Sequence, residues 1–228
     1  MEIRRRFHEG LRDLESELLT EGDLALGALG RSMRALVESD VDLADDVIAH
    51  DDDVDERYMT IENGTLEILA LQTPVASDLR LISALIHINF HLERVGDMAV
   101  NIAKAVKLTQ HLPMHARIID HLREMGSIAE RMVAASLRAF ADRDLELATQ
   151  LPTMDDPIDR LNRGMVKDVA ECAGDPSMLE WGLRMMIVSR QLERVGDHAV
   201  DIGEQVAFLL TGEFREFTDA SHPELRPT

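Results

Sequence analysis

Apolar residues recur at three- and four-residue steps along most of this chain, and no stretch alternates as a half-buried strand would. Leu11, Leu14, Leu18, Leu26, Leu29, Met33 and Leu36 predict a first helix from Phe7 to about Glu38. Gly22, Gly27 and Gly30 lower its intrinsic propensity, so packing must hold it. Ser39 and Asp40 stop it, and Asp42 is placed to cap a second helix running to about Leu71. Gln72-Thr73-Pro74 ends that helix, because the residue before proline disfavours the helical region. A third helix from about Ala76 to Leu108 carries the stripe Leu81, Leu85, Ile88, Val95, Ala99, Ile102 and Val106. His111-Leu112-Pro113 closes this half. The second half predicts helices over about Ala116–Ala141, Asp144–Cys172 and Met178–Leu210, with turns at 142–144 and 173–176.

The halves are copies. His91-Leu-Glu-Arg-Val-Gly-Asp97 returns as Gln191-Leu-Glu-Arg-Val-Gly-Asp197, 100 residues on. Ser32-Met-Arg-Ala35 returns as Ser136-Leu-Arg-Ala139, and Asp51, Asp52 and Asp55 return as Asp155, Asp156 and Asp159, 104 residues on. The second copy has therefore lost four residues between its last two helices. The expected fold is all-α: two tandem three-helix bundles over residues 1–111 and 112–211, with a flexible tail at 212–228.

The repeat pairs acidic residues in space. If the second and third helices form an antiparallel hairpin about Pro74, residues equidistant from it share a level. Asp55 and Glu93 are each 19 residues away, and Asp51 and Asp97 are each 23 away. About Pro176 the same holds for Asp159 with Glu193, 17 away, and Asp155 with Asp197, 21 away. At ~100° per residue the Glu93–Asp97 edge points away from the apolar stripe of its own helix. Ile82, Ile86, Phe90 and Val100 flank that edge, so the third helix is expected to lie between its own bundle and a second surface. Converging carboxylates repel one another. Arg94 and Arg194 would relieve this in part, and a hard cation more completely.

Composition narrows the function. A net charge of −19 over 228 residues opposes binding to nucleic acid and adsorption to anionic lipid. It is compatible with cations or a basic partner surface. Hydrophobic content of 45% supports a core, and no apolar run reaches the ~18 residues of a membrane span. Cys172 is the only cysteine, so no intrachain disulfide can form and a reducing compartment is expected. Arg4-Arg5-Arg6 is followed by no apolar signal region. No phosphate-binding loop, dinucleotide fingerprint or nucleophile elbow is present, and neither Glu93 nor Glu193 is followed by His at the third position, as a di-iron bundle requires. His87 and His91 form an HxxxH pair of the kind found in zinc half-sites, but Ile187 and Gln191 replace them in the second copy. His198 reads as a surface or interface histidine. Gly96 and Gly196 inside helices point to close helix packing.

The tandem Leu-Glu-Arg-Val-Gly-Asp motifs, the segment Leu71-Gln-Thr-Pro-Val-Ala-Ser-Asp-Leu-Arg80 and the closing Gly196-Asp-His-Ala-Val-Asp-Ile202 resemble the PhoU family of phosphate-uptake regulators, over about residues 8–211. The resemblance implies a cytoplasmic, non-enzymatic accessory protein of the phosphate ABC transporter. Such a protein would contact the transporter ATPase and a phosphate sensor histidine kinase, and restrain the phosphate-starvation response. A homodimer is compatible with it. The resemblance also implies multinuclear metal clusters on the acidic pairs Asp51/Asp55 with Glu93/Asp97, and Asp155/Asp159 with Glu193/Asp197. Iron, manganese, zinc or magnesium would be the divalent or trivalent ion. Three departures stand out. Pro152 and Pro157 lie beside Asp155 and Asp159, so the fifth helix is expected to kink or restart with Asp156 as cap and Pro157 in its first turn. Asp201 stands where Asn is expected, and Asp78-Leu79-Arg80 has no second copy. The runner-up is a metal-dependent enzyme or metal store on the same carboxylates, and a third reading is a helical adaptor with solvated acids.

Overall fold

The computed structural model of the chain describes residues 2–214, 216 and 217. Its long helices are α1 (Glu2–Glu38), α4 (Ser77–Thr109), α5 (Ala116–Asp142), α6 (Leu145–Ala170) and α7 (Pro176–Thr211). Between α1 and α4 lie α2 (Val41–Ala49) and α3 (Asp52–Leu71), and a short 3-10 turn, Glu171–Gly174, joins α6 to α7. No strand occurs among the described residues.

The sequence stripes are the core. Leu18, Leu29, Leu85, Ile88, Val95 and Ile102 are fully buried, as are Phe140, Met185 and Val195 of the second half. One bundle packs α1 and α3 on α4, and the other packs α5 and α6 on α7. The two meet along α4 and α7, with α1 against α5 beside them. This is the second surface expected of the third helix: Ile82 and Val100 are buried, and only Phe90 remains open. Apolar residues on two sides of one helix thus build both its own bundle and the seam to its copy.

The copies start alike. Ser39 and Arg143 both adopt left-handed backbone with φ 55°, and each is followed by an aspartate cap. Leu43 N–H donates to Asp40 Oδ1 at 2.9 Å, and Leu147 N–H to Asp144 Oδ1 at 3.0 Å. The first cap is therefore Asp40 rather than Asp42, because only Asp40 sits three residues before a free helix N–H.

The expected single second helix is broken, and the expected broken fifth helix is whole. His50 turns out of helix at φ −104°, ψ 20°, and α3 starts anew with Asp52, Asp53 and Asp55 in its first turn. Carboxylates favour the positive end of a helix, so this acidic run starts one better than it continues one. In the second copy α6 runs unbroken through Pro152 and Pro157. Proline's fixed φ suits a helix, and its cost is the lost bond to the carbonyl four residues back. For Pro152 that carbonyl belongs to Ala148. It lies against Gly203 of α7, where an added Cβ would stand 3.0 Å from Ala148 O and 2.5 Å from Leu151 Cδ1.

The start of the expected tail doubles back. Phe214 packs edge-on against Phe208, and Phe217 N–H donates to Glu204 Oε1 at 2.5 Å. The remainder of that tail, residue 215 and residues 218–228, lies outside the described residues.

Candidate functional site

Asp51 and Asp55 sit at the start of α3, facing Glu93 and Asp97 on α4. Arg94 lies among them, with Nη1 2.9 Å from Asp97 Oδ2 and Nε 3.2 Å from Glu93 Oε2. Burial raises Asp51, and so do Asp55 and Asp97; Asp55 is raised by burial and then by Asp97. Glu93 is raised by burial and by Asp97, with Arg94 opposing and Asp55 and Asp51 adding to it. Asp97 thus acts on the other three carboxylates, and Asp51 and Asp55 of α3 act on Glu93 of α4. Glu93 Oε2 is buried, and Arg94 Nε meets it as an ion pair without hydrogen-bond geometry.

The second set converges as well. Asp155, Asp159 and Asp197 line one cleft between α6 and α7, together with Asp156, Asp201, Glu204, Pro152 and Phe217. Glu193 lies behind this cleft, 8% exposed. Burial, then Asp197, pushes it up to about 7 against the opposing Arg190, and Asp159 adds to the rise. Its Oε2 is buried without a hydrogen-bond partner. The arginine that pairs with Glu193 is Arg190, one turn earlier on α7, rather than the Arg194 expected from the motif. Arg163 pairs with Asp159 at 3.2 Å. Gly196 is what lets the cluster close: a Cβ there would lie 2.2 Å from Asp155 Oδ1, so the carboxylate rests on the helix backbone. In the first copy the neighbour of Gly96 is Val54, at 3.2 Å from an added Cβ, and the glycine serves packing alone.

Three acids of the second cleft lie outside the eight that the repeat selects: Asp156, Asp201 and Glu204. Their signal was the spacing of Asp197, Asp201 and Glu204, which i+4 and i+7 place on one helix face. Burial pushes Asp201 up to about 6, with Asp197 and Glu216 adding to it. Burial likewise takes Glu204 to about 7, opposed by the Phe217 N–H bond. The donor set is all carboxylate, half-buried and self-repelling, which suits hard cations.

The HxxxH pair does not close on itself. His87 is exposed, while His91 reaches across the seam to His198, Nδ1 to Nδ1 at 2.9 Å.

The PhoU domain family model matches this chain twice, over residues 18–106 and 122–206. This chain belongs to the PhoU family. A relative from Clostridium acetobutylicum, the phosphate-specific transport system accessory protein PhoU homolog, is 33% identical over 218 residues, covering 95% of this chain and 99% of its own. The crystal structure of PhoU from Pseudomonas aeruginosa superposes with a TM-score of 0.85 at 32% identity, covering 91% of this chain and 100% of that one. The phosphate transport system regulatory protein PhoU from Streptococcus pneumoniae gives a TM-score of 0.82 at 29% identity, over 92% of this chain and 99% of that one. The two PhoU matches each span one copy of the acidic motif. Among the described residues no helix is long and apolar enough to cross a membrane.

Proposed function

We propose that this chain is a non-enzymatic, cytoplasmic regulator of phosphate uptake, which restrains the phosphate-starvation response by contacting the phosphate ABC transporter ATPase and a phosphate sensor histidine kinase. The observation that carries this reading is end-to-end similarity, 33% identity over 95% of the chain, to a protein named as an accessory of the phosphate-specific transport system. The net charge of −19 favours a basic partner surface over phosphate itself. The test is deletion of the gene in its own host. Expression of phosphate-starvation genes in phosphate-rich medium, reversed on re-expression, is expected. Unchanged expression would overturn the regulator, and substrate turnover by the metal-loaded protein would overturn its non-enzymatic character.

Within this reading the acidic pairs hold metal. Asp51, Asp55, Glu93 and Asp97 would bind one set of di- or trivalent ions, and Asp155, Asp159, Glu193 and Asp197 the other. Iron, manganese, zinc and magnesium are the candidate ions. What supports this is the mutual repulsion of the carboxylates around Glu93 and Glu193, together with Glu193 Oε2, which is buried without a hydrogen-bond partner. A bound cation would offset that repulsion further than the single arginine beside each glutamate does. Elemental analysis of protein purified without chelator should find metal, and an Asp97→Ala/Asp197→Ala variant should lose it. Metal-free wild-type protein, unchanged in stability on adding EDTA, would refute the clusters.

A further inference from the structure

The seam between the bundles holds a group of donors that the acidic repeat does not use. His91 comes from α4, and His198 and Asp201 from α7. The two Nδ1 atoms are 2.9 Å apart, and Asp201 Oδ2 lies 3.6 Å from the first and 3.9 Å from the second. The three atoms form one compact group, and both imidazoles are largely buried, with 13% of each side chain exposed. We propose that His91, His198 and Asp201 form a binding site for a borderline divalent transition metal of the zinc class, joining the first bundle to the second.

Three observations carry the site. The first is spacing. Ligand atoms ~2.0–2.1 Å from a tetrahedral zinc stand ~3.3 Å from one another. The three separations here, 2.9, 3.6 and 3.9 Å, bracket that edge, so small side-chain rotations suffice. The second is donor chemistry. Imidazole nitrogen selects zinc and its neighbours over the hard cations that all-oxygen clusters take. The ligating form of imidazole is the neutral one, and both rings are largely withdrawn from solvent. The third is access. Asp201 keeps 44% of its side chain exposed and lines the second acidic cleft, so the site opens to solvent through that cleft.

The site is single, unlike the carboxylate clusters. The repeat places Gln191 opposite His91, Met98 opposite His198 and Asn101 opposite Asp201, so the mirror position across the seam has no comparable donors. One ion per chain is therefore expected, and its ligands come from both bundles. An ion so held would fix the α4–α7 seam, on which both acidic faces are mounted.

The experiment uses the full chain, stripped with chelator and titrated with Co(II) in excess Mg(II) to keep the carboxylate clusters occupied. Wild-type protein should develop the visible absorption of four-coordinate Co(II) at one equivalent, and added Zn(II) should abolish it. His91→Gln and His198→Gln, with folding checked by circular dichroism, should weaken Co(II) binding more than about 100-fold, beyond what loss of a ligand's outer partner costs. An Asp51→Asn/Asp155→Asn variant should keep the band, which separates this site from the acidic clusters. X-ray absorption on the zinc-loaded wild type supplies a readout that needs no variant: two imidazole shells support the site. Oxygen ligation alone, or a band insensitive to His198→Gln, overturns it.

Discussion

Replacing Glu21 by methionine should stabilise the protein at neutral pH. Glu21 lies on α1 and is 0% exposed, and neither of its carboxyl oxygens has a hydrogen-bond partner. Burial, then the nearby Glu93, pushes its pKa up to about 9. The unfolded chain releases this proton near the ordinary carboxyl value of 4.5, while the folded chain holds it until about 9. Between those values the folded state binds more protons, so stability is fullest at acid pH and falls as pH rises. Each pH unit costs about 1.4 kcal/mol, or about 3 kcal/mol at pH 7. The repeat names the replacement, since the position 104 residues on is Met125, itself fully buried. Urea denaturation in EDTA at pH 5.5 and pH 8 measures the effect. The variant's advantage should grow by about 3 kcal/mol across that interval, and Glu21→Gln should remove the same slope. Wild type and variant with parallel pH profiles would show that Glu21 is not a buried, protonated acid.

Three further outcomes are expected. Ala76 opens α4 at φ 49°, ψ −114°, a region that side chains avoid, so Ala76→Gly should raise stability by about 1 kcal/mol in thermal denaturation. Gly196→Ala would put a methyl 2.2 Å from Asp155 Oδ1. It should weaken Mn(II) binding in the second cluster and spare the first, as read by calorimetric titration of variants that keep one cluster each. Metal uptake by the second cluster should fall between pH 8 and pH 6, because Glu193 takes up a proton near 7 and a protonated carboxyl is a poor ligand. Calorimetric titration across that range checks it, and pH-independent binding would show that Glu193 does not hold a proton there.

Much of this architecture was legible because it is written twice. The stripes mark the long helices, and the equal distances from Pro74 and Pro176 bring Asp51, Asp55, Glu93 and Asp97, and their second-copy counterparts, to neighbouring levels of paired helices. Sequence and structure part where two local rules compete. Four aspartates within residues 51–55 fit the helical pattern on either side of them, but their charge suits a helix start, and α3 begins there. Prolines favour a break, but α6 carries both within a continuous helix backed by α7. Arg190 was missed because a three-residue step back along α7 is as close as the motif's own next residue. Glu21 and the His91–His198 contact were beyond reach for a different reason. Each depends on how α1, α4 and α7 turn toward one another, and helical periodicity gives the angle about one axis, not the rotation between two.

The contact between Ala148 and Gly203 ties two distant positions into one unit of inheritance. A side chain at 203 could displace the Leu151 tip by a rotamer change, but not the Ala148 carbonyl, which Pro152 leaves without its helical N–H partner. A residue with an N–H at 152 would give that carbonyl a helical bond and hold it closer to the axis of α6. Substitution at 203 should therefore be costly alone and mild in the company of Pro152→Ala, and across descendants of this chain the two positions should drift together rather than singly.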